Sequence, residues 1–291
     1  MTVKLNLLLV FLLRIIMKTT HKLIIGSSEL MPELADSSIQ LIVTSPPYFN
    51  APFDYEGFYY NYDKYLEVMS TVSKEMYRVL DKGRILILNI DDMLVNGVKY
   101  PITADFTKIL QGVGFLYRDR IIWKKPDGYL RISRRSGVLL QHPYPMYFYP
   151  DNLLESLLIF QKGEFDYKSI PDTLKQESKI DLDEFKKNKW YSNLWHITNV
   201  LPNAKYENGV AAFPDEIPRR FIKLFSYKGE TVLDPFLGSG TTMKVAIELQ
   251  RNSVGYELKP ELEEKITKKL KLDCTDIFID YDVNFEVIRR F

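Results

Sequence analysis

Three stretches of the sequence carry residue types and spacings that can do chemistry. The first is Thr44-Ser-Pro-Pro-Tyr48. Two successive prolines offer no N–H, and their rings fix the backbone. The Ser45 hydroxyl and the neighbouring carbonyls are therefore held in set directions. Taken alone, a turn stiffened only for structural reasons would read the same. The second stretch is Asp234-Pro-Phe-Leu-Gly-Ser-Gly-Thr-Thr242. Gly238 and Gly240 let the main chain turn tightly and let a ligand lie against it. A helix beginning just beyond would add free N–H groups and a positive dipole end. No lysine follows the glycines, so this is not a phosphate-binding P-loop. Glu257 lies about twenty residues on, where an acid grips ribose hydroxyls in doubly wound folds. The combination points to a nucleoside-type ligand; a tight turn plus a surface glutamate is the alternative.

The third stretch, Arg118 to Arg135, holds seven basic residues (Arg118, Arg120, Lys124, Lys125, Arg131, Arg134 and Arg135) against Asp119 and Asp127. Such a run can contact phosphates and fix register. Arg131, Arg134 and Arg135, in a loop with Gly and Ser, can reach guanine edges. A solvated loop is the competing reading. The whole chain has a formal charge of only +1, so a nucleic-acid role has to rest on this local patch.

Short apolar runs and helical periodicity suggest what positions these residues. Strands are expected at Lys22–Gly26, Ile39–Thr44, Ile85–Ile90, Phe115–Trp123, Ser156–Gln161, Thr231–Asp234 and Ser253–Glu257. Helices are expected at Ser28–Leu34, Tyr62–Leu80 (stopped by Gly83), Ile102–Gln111 (ended by Gly112), Asp215–Phe225, Thr241–Leu249 and Glu261–Leu270. The prolines end the strand at Ser45, and the carboxyl end of a strand is where ligands sit in open α/β sheets. Strands alternating with helices predict a largely parallel, covered sheet in a doubly wound α/β domain. The alternation breaks at 125–155 and 163–205.

Composition is ordinary for a globular chain of 291 residues, with 46% hydrophobic and 26% charged. One cysteine, Cys274, allows no internal disulfide, and three scattered histidines form no zinc pattern, so no structural metal is expected. Leu5–Ile16 is apolar but too short to span a bilayer, and Arg14 interrupts it. Residues 1–16 are read as an upstream extension before a start at Met17, with an export signal as the alternative. The expected location is cytoplasmic, with no membrane association.

Together, the Ser45-Pro-Pro-Tyr48 turn and the Asp234-Pro-Phe-Leu-Gly-Ser-Gly240 loop resemble the amino-methyltransferases of DNA in their β-class order, where the catalytic motif precedes the cofactor motif. Arg78-Val-Leu-Asp-Lys-Gly83, Ile121-Ile-Trp-Lys124, Glu155–Gly163 and Ala212–Arg220 match minor motifs of that family in sequence order. Two departures stand out: Gly26-Ser27 where the family often has Gly-Asp, and Lys82-Gly83-Arg84 where it often has paired glycines.

The resemblance implies a Rossmann-like, circularly permuted methyltransferase sheet and S-adenosylmethionine as cofactor. It implies that the Ser45 hydroxyl and the Pro46 carbonyl accept from an exocyclic amine, with Pro47 stiffening the turn and Tyr48 stacking on a flipped base. Asp234, Phe236, Gly238, Ser239, Gly240, Thr241 and Glu257, with Phe213 and Pro214 before them, would hold the cofactor; a core staple is the alternative for Phe213 and Pro214. Phe53, Tyr55 and Tyr59 would cover the site or simply pack. Lys124, Lys125, Arg131, Arg134 and Arg135 would meet double-stranded DNA. Family members with Ser at the first position of the turn mostly methylate cytosine N4, which favours that base over adenine N6. By analogy the partner is a cognate restriction endonuclease on a separate chain. The implied division is residues 17–162 for the catalytic part, 163–205 for target recognition and 206–291 for the cofactor. A non-catalytic nucleic-acid-binding relative, or a methyltransferase acting on RNA or protein, is the rival.

Overall fold

The computed structural model describes residues 18–50, 61–126, 136–148, 150–200, 213–270 and 282–290. The chain opens with strands β1 (Thr19–Ile25) and β2 (Ile39–Thr44), then helix α1 (Tyr62–Val79) and the long strand β3 (Leu80–Ile90). A small hairpin of β4 (Met93–Val95) and β5 (Val98–Tyr100) leads to α2 (Ile102–Val113) and β6 (Leu116–Lys124). After α3 (Ser136–Gln141) come β7 (Leu154–Gln161), α4 (Asp172–Glu177), α5 (Leu182–Lys187) and β8 (Leu194–His196). Then follow α6 (Glu216–Phe225), β9 (Thr231–Asp234), α7 (Thr241–Glu248), β10 (Asn252–Glu257), α8 (Glu263–Leu270) and β11 (Val283–Arg289).

Among the described residues nine strands form one sheet in the order β11-β1-β10-β9-β2-β3-β7-β6-β8. Its pairings are parallel except the two that β7 makes, with β3 and β6. The expected α/β fold around a mostly parallel sheet is the one found. Side chains alternate across a strand, so each strand feeds two cores. Ile42 of β2 and Leu86 and Leu88 of β3 pack with Tyr65, Met69 and Val72 of α1 and Phe106 of α2. Leu41, Val43, Ile85 and Ile87 face the other way, onto Phe221 and Ile222 of α6 and Val245 of α7. At the β1 edge, Leu23 and Ile25 meet Met243 of α7 and Ile266 of α8. Helices therefore cover both faces, which leaves the strand ends as the places where a ligand can enter.

The topology has one consequence for function. β2 and β9 are neighbours near the middle of the sheet, paired at Leu41↔Val232 and Ile42↔Leu233. The Ser45 turn follows one and the glycine loop follows the other, at the same carboxyl edge. Two motifs far apart in sequence are thus side by side in space.

Several local expectations differ from the structure. Residues Ser28–Leu34 form turns, not a helix. The Glu29 N–H donates to Ser27 Oγ (3.2 Å), a local bond that competes with helical pairing, and Pro32 has no N–H to continue a helix. Gly83 is not a helix stop but a kink inside β3: its φ is +79°, and a Cβ there would collide with the backbone of Phe165. Gly112 lies within α2, and the helix ends instead at Gly114, left-handed at φ 118°, whose N–H returns to Leu110 and Gln111. The hairpin β4–β5, the three-residue β8 and the edge strand β11 have no counterpart in the expected elements. Within 163–205, β8 joins the main sheet by pairing Trp195 with Trp123 of β6.

Candidate active site

The catalytic turn is anchored from both sides. Thr44, fully buried, donates from Oγ1 to Asp234 Oδ1 (2.7 Å), and Thr242 Oγ1 donates to Asp234 Oδ2 (2.7 Å). Asp234 also accepts from the N–H of Phe236 (3.1 Å), so one buried carboxylate ties the catalytic turn, the glycine loop and the start of α7 together. Burial raises its pKa to about 6, and the three hydrogen bonds oppose that rise. On the other side, Tyr65 of α1 donates its hydroxyl to the Pro47 carbonyl (3.0 Å). Pro46 and Pro47 are buried, while Ser45 and Tyr48 are half-buried.

Asn89 and Glu155, to which the sequence assigns no role, join Tyr48 and Lys125 in a polar cluster around the turn. Tyr48 donates its hydroxyl to Glu155 Oε2 (3.1 Å), at the start of β7. Asn89, near the end of β3, donates from Nδ2 to Glu155 Oε2 (2.9 Å) and more loosely to Ser45 Oγ (3.4 Å). Lys125 Nζ lies 2.5 Å from Glu155 Oε1 and 5.3 Å from the Trp123 ring centre. The Tyr48 hydroxyl is held well above its ordinary range. Burial is the largest cause, followed by the charges of Glu155 and Asp91, while the Ser45 hydroxyl pulls the other way. Burial likewise raises Asp91, against a hydrogen bond from Asn152. The Asn89 Oδ1 atom is buried without a partner among the described residues.

Next to the turn lies a cleft at the carboxyl ends of β1, β9 and β10, with about 390 Å³ of empty space, part of it open to solvent. Pro47, Phe236, Tyr256 and Leu258 line it with Gly26, Ser27 and Glu29 and with Val68 and Val72 of α1. Its walls are mainly apolar with a few polar groups, the usual make-up of a small-molecule site. Glu257, 1% exposed, accepts from the Gly238 N–H (2.9 Å) and the Lys259 N–H (2.8 Å). This carboxylate thus closes the glycine loop onto the end of β10. Gly240 stands at the start of α7 with φ 88°.

The remaining expected residues are placed as follows. The hydroxyls of Ser239 and Thr241 receive Lys269 Nζ (2.8 and 2.7 Å), on the α8 side of the loop. Phe213 is buried among Trp195, Ile217 and Phe221, in the core on the sheet face opposite α1, and neither Phe213 nor Pro214 lines the cleft. Lys125, expected to meet phosphate, is engaged by Glu155 at the catalytic turn; Lys124 ends β6 half-buried. Arg131, Arg134 and Arg135, the aromatic residues Phe53, Tyr55 and Tyr59, Cys274 and residues 1–17 lie outside the described residues. Among the described residues no cluster of His, Cys, Asp or Glu is built to hold a metal, and no helix is long and apolar enough to cross a membrane.

Pro47 of the proline turn and Phe236 of the glycine-loop segment line one cleft at the carboxyl edge of the sheet. Comparison with known proteins supplies the family. The family model described as DNA methylase, which joins the N6 and N4 enzymes, matches residues 39–269, and the chain belongs to that family. The type II methyltransferase M.MjaI of Methanocaldococcus jannaschii is 36% identical, over 94% of this chain and 97% of its own length. M.MthZI of Methanothermobacter thermautotrophicus is 32% identical, over 94% and 84%. Among solved structures, a Thermus thermophilus protein in complex with S-adenosyl-L-methionine superposes with a TM-score of 0.70 at 24% identity, covering 91% of this chain and 99% of that one. The cytosine-N4-specific PvuII DNA methyltransferase superposes with a TM-score of 0.63 at 20% identity, covering 92% and 90%. The protein is an S-adenosylmethionine-dependent DNA methyltransferase.

Proposed function

We propose that the protein transfers the methyl group to the exocyclic N4 of a cytosine within a short site in duplex DNA, as the modification arm of a restriction–modification system whose endonuclease is a separate cytoplasmic chain. The observation that carries the choice of base is Ser45 itself, a hydroxyl at the first position of the turn beside the cleft. An exocyclic amine is a poor nucleophile because its lone pair is conjugated with the ring. Acceptors on its two N–H groups draw that lone pair out of conjugation. Ser45 Oγ and the Pro46 carbonyl are the acceptors, and the Pro47 carbonyl is already taken by Tyr65. The target must leave the stack to reach them, and the Tyr48 ring then lies against it.

S-adenosylmethionine, when bound, supplies a methyl group already activated by its sulfonium. Phe236, Leu258 and the Gly238 turn, with Glu257 behind it, hold that cofactor, and Pro47 lines the same cleft. Holding amine and methyl in line accounts for much of the acceleration, since well-oriented reactants can save roughly 7–11 kcal/mol of barrier. The loop 127–135 with its three arginines, the stretch 163–205 and the exposed Tyr144, Met146 and Phe148 face DNA in this reading. The motif order makes the sheet a circularly permuted one.

The test is product analysis. The protein is incubated with unmethylated duplex DNA and labelled cofactor, the DNA is digested, and the labelled nucleoside is identified by mass spectrometry. N4-methylcytosine is the expected product. N6-methyladenine would overturn the choice of base, and label on RNA alone would overturn the substrate.

A further inference from the structure

The methylated amine must lose a proton, and the groups around the turn form a path for it. Transfer turns the exocyclic amine into a cationic nitrogen that still carries both of its protons, one of which must leave. Ser45 Oγ already accepts an N–H from that amine in the reading above, on which this inference rests. Ser45 and Tyr48 share the turn, and Asn89 Nδ2 reaches Ser45 Oγ (3.4 Å) as well as Glu155 Oε2 (2.9 Å), so the serine hydroxyl lies in the same polar cluster as the phenol. The phenol in turn donates to Glu155 Oε2 at 3.1 Å. Lys125 Nζ pairs with that carboxylate at 2.5 Å, and Asn89 at 2.9 Å fixes its direction. The Glu155 side chain keeps 11% of its surface exposed, which leaves an exit to solvent.

We propose that Glu155 is the terminal acceptor of the amine proton, reached through the hydroxyls of Ser45 and Tyr48. The balance is simple. The C–S bond of the sulfonium breaks, its electron pair stays on sulfur, and a C–N bond forms with the amine lone pair. The amine proton moves to Ser45 Oγ as the serine proton moves to Tyr48 Oη and the tyrosine proton moves to Glu155. The products are a neutral thioether, a neutral methylamino base and a protonated carboxyl group, which releases its proton to water. The phenol never carries a full charge, consistent with its buried site beside two carboxylates. Asp91 is the other acid facing this group, and its carboxylate is occupied by Asn152. Glu155 and Tyr48 thereby have a purpose that a purely structural turn would not need.

The test uses Glu155→Gln and Tyr48→Phe in the full-length protein. Glutamine is isosteric and keeps an acceptor for the phenol, and phenylalanine keeps the ring that lies against the base. Wild-type protein is first shown to methylate duplex DNA. Cofactor and DNA affinities are then measured by calorimetry and anisotropy, and methyl transfer is followed in a single turnover. Each variant is expected to bind both ligands as wild type does and to transfer about 100-fold more slowly, the low end for loss of general base assistance. The double variant is expected to be no slower than either single one, because both break one path. A Glu155→Gln rate equal to wild type overturns the proposal, as does a double variant whose losses multiply. Glu155→Asp, which restores a base, is expected to recover part of the rate; recovery no better than Gln would also count against the relay. Wild-type protein that labels no base at all overturns the methyl-transfer reading beneath it, a result seen before any substitution is made.

Discussion

The two halves of the candidate active site are held together in opposite ways. The glycine-loop half is self-contained: Glu257 closes on Gly238, nineteen residues away, and on Lys259, two residues away. Asp234 closes on Phe236 two residues on and on Thr242 eight residues on. The catalytic half is assembled from distance. Glu155 meets Tyr48 across 107 positions and Asn89 across 66, and Tyr65 crosses 18 to reach Pro47. Two buried bonds, Thr44 to Asp234 across 190 positions and Thr242 to the Val43 carbonyl across 199, form the seam between them. Local closure gives a cofactor loop that folds wherever its strand and helix fold. Long-range closure makes the catalytic groups depend on the whole sheet being correctly registered, since β2, β3 and β7 each contribute one.

Four substitutions break or sharpen this contrast, from the largest effect to the smallest. Ser45→Ala removes the hydroxyl that the proposed reaction uses as an acceptor in the transition state. Its single-turnover rate is expected to fall by about 10²–10³ with little change in folding, measured by labelled methyl transfer beside a thermal melt.

Asp234→Asn tests the seam. The folded pKa of Asp234 is raised from 3.8 to about 6 by burial, so the folded state binds its proton more tightly than the unfolded chain does. Its contribution is therefore most favourable below about pH 4 and declines as pH rises to about 6. The stability of wild type minus that of Asp234→Asn, from denaturant unfolding, should fall by roughly 2–3 kcal/mol between pH 4 and pH 7. A flat difference would show that Asp234 does not titrate as a buried group.

Gly240→Val places a branched side chain at φ 88° and against Ile266 Cγ2, which would lie 3.2 Å from the new Cβ. The left-handed conformation alone costs about 1–2 kcal/mol. Weaker cofactor binding by calorimetry, with the Ser45 turn intact, is the expected outcome. Lys125→Met removes the partner of Glu155 while leaving an apolar stem over Trp123. About a tenfold loss of methyl transfer is expected, with cofactor binding retained.

The contrast also explains what the sequence made legible. That the Ser45 turn, the Gly238–Gly240 loop and Glu257 stand at strand ends was readable because each lies in contiguous residues or at a fixed spacing within one strand–helix–strand unit. The parallel α/β architecture was readable for the same reason, from apolar runs in β1, β2 and β9 and from the periodic face of α1. Asn89 and Glu155 were not readable: each sits in an apolar strand, and only the pairing of β3 with β7 makes them neighbours. Lys125 read as part of a basic run because sequence shows charge without direction. Phe213 carried two readings, and the structure places it in the core beside Phe221, away from the cleft. β8 escaped notice because three residues show no period, and β11 because its half-exposed alternation is that of an edge strand. The glycine just before Phe115 ends a helix, while the one shortly after Leu80 kinks a strand; only the packing of Phe165 on Gly83 tells them apart.

The measurement that bears most directly on the division of labour is a calorimetric titration of S-adenosylmethionine into Ser45→Ala, with methyl transfer to duplex DNA assayed on the same preparation. Wild-type affinity for the cofactor together with a rate lowered by at least about 100-fold is the predicted result. Cofactor affinity lost in parallel with the rate would contradict it, because the Ser45 hydroxyl would then be part of the cofactor's own binding site.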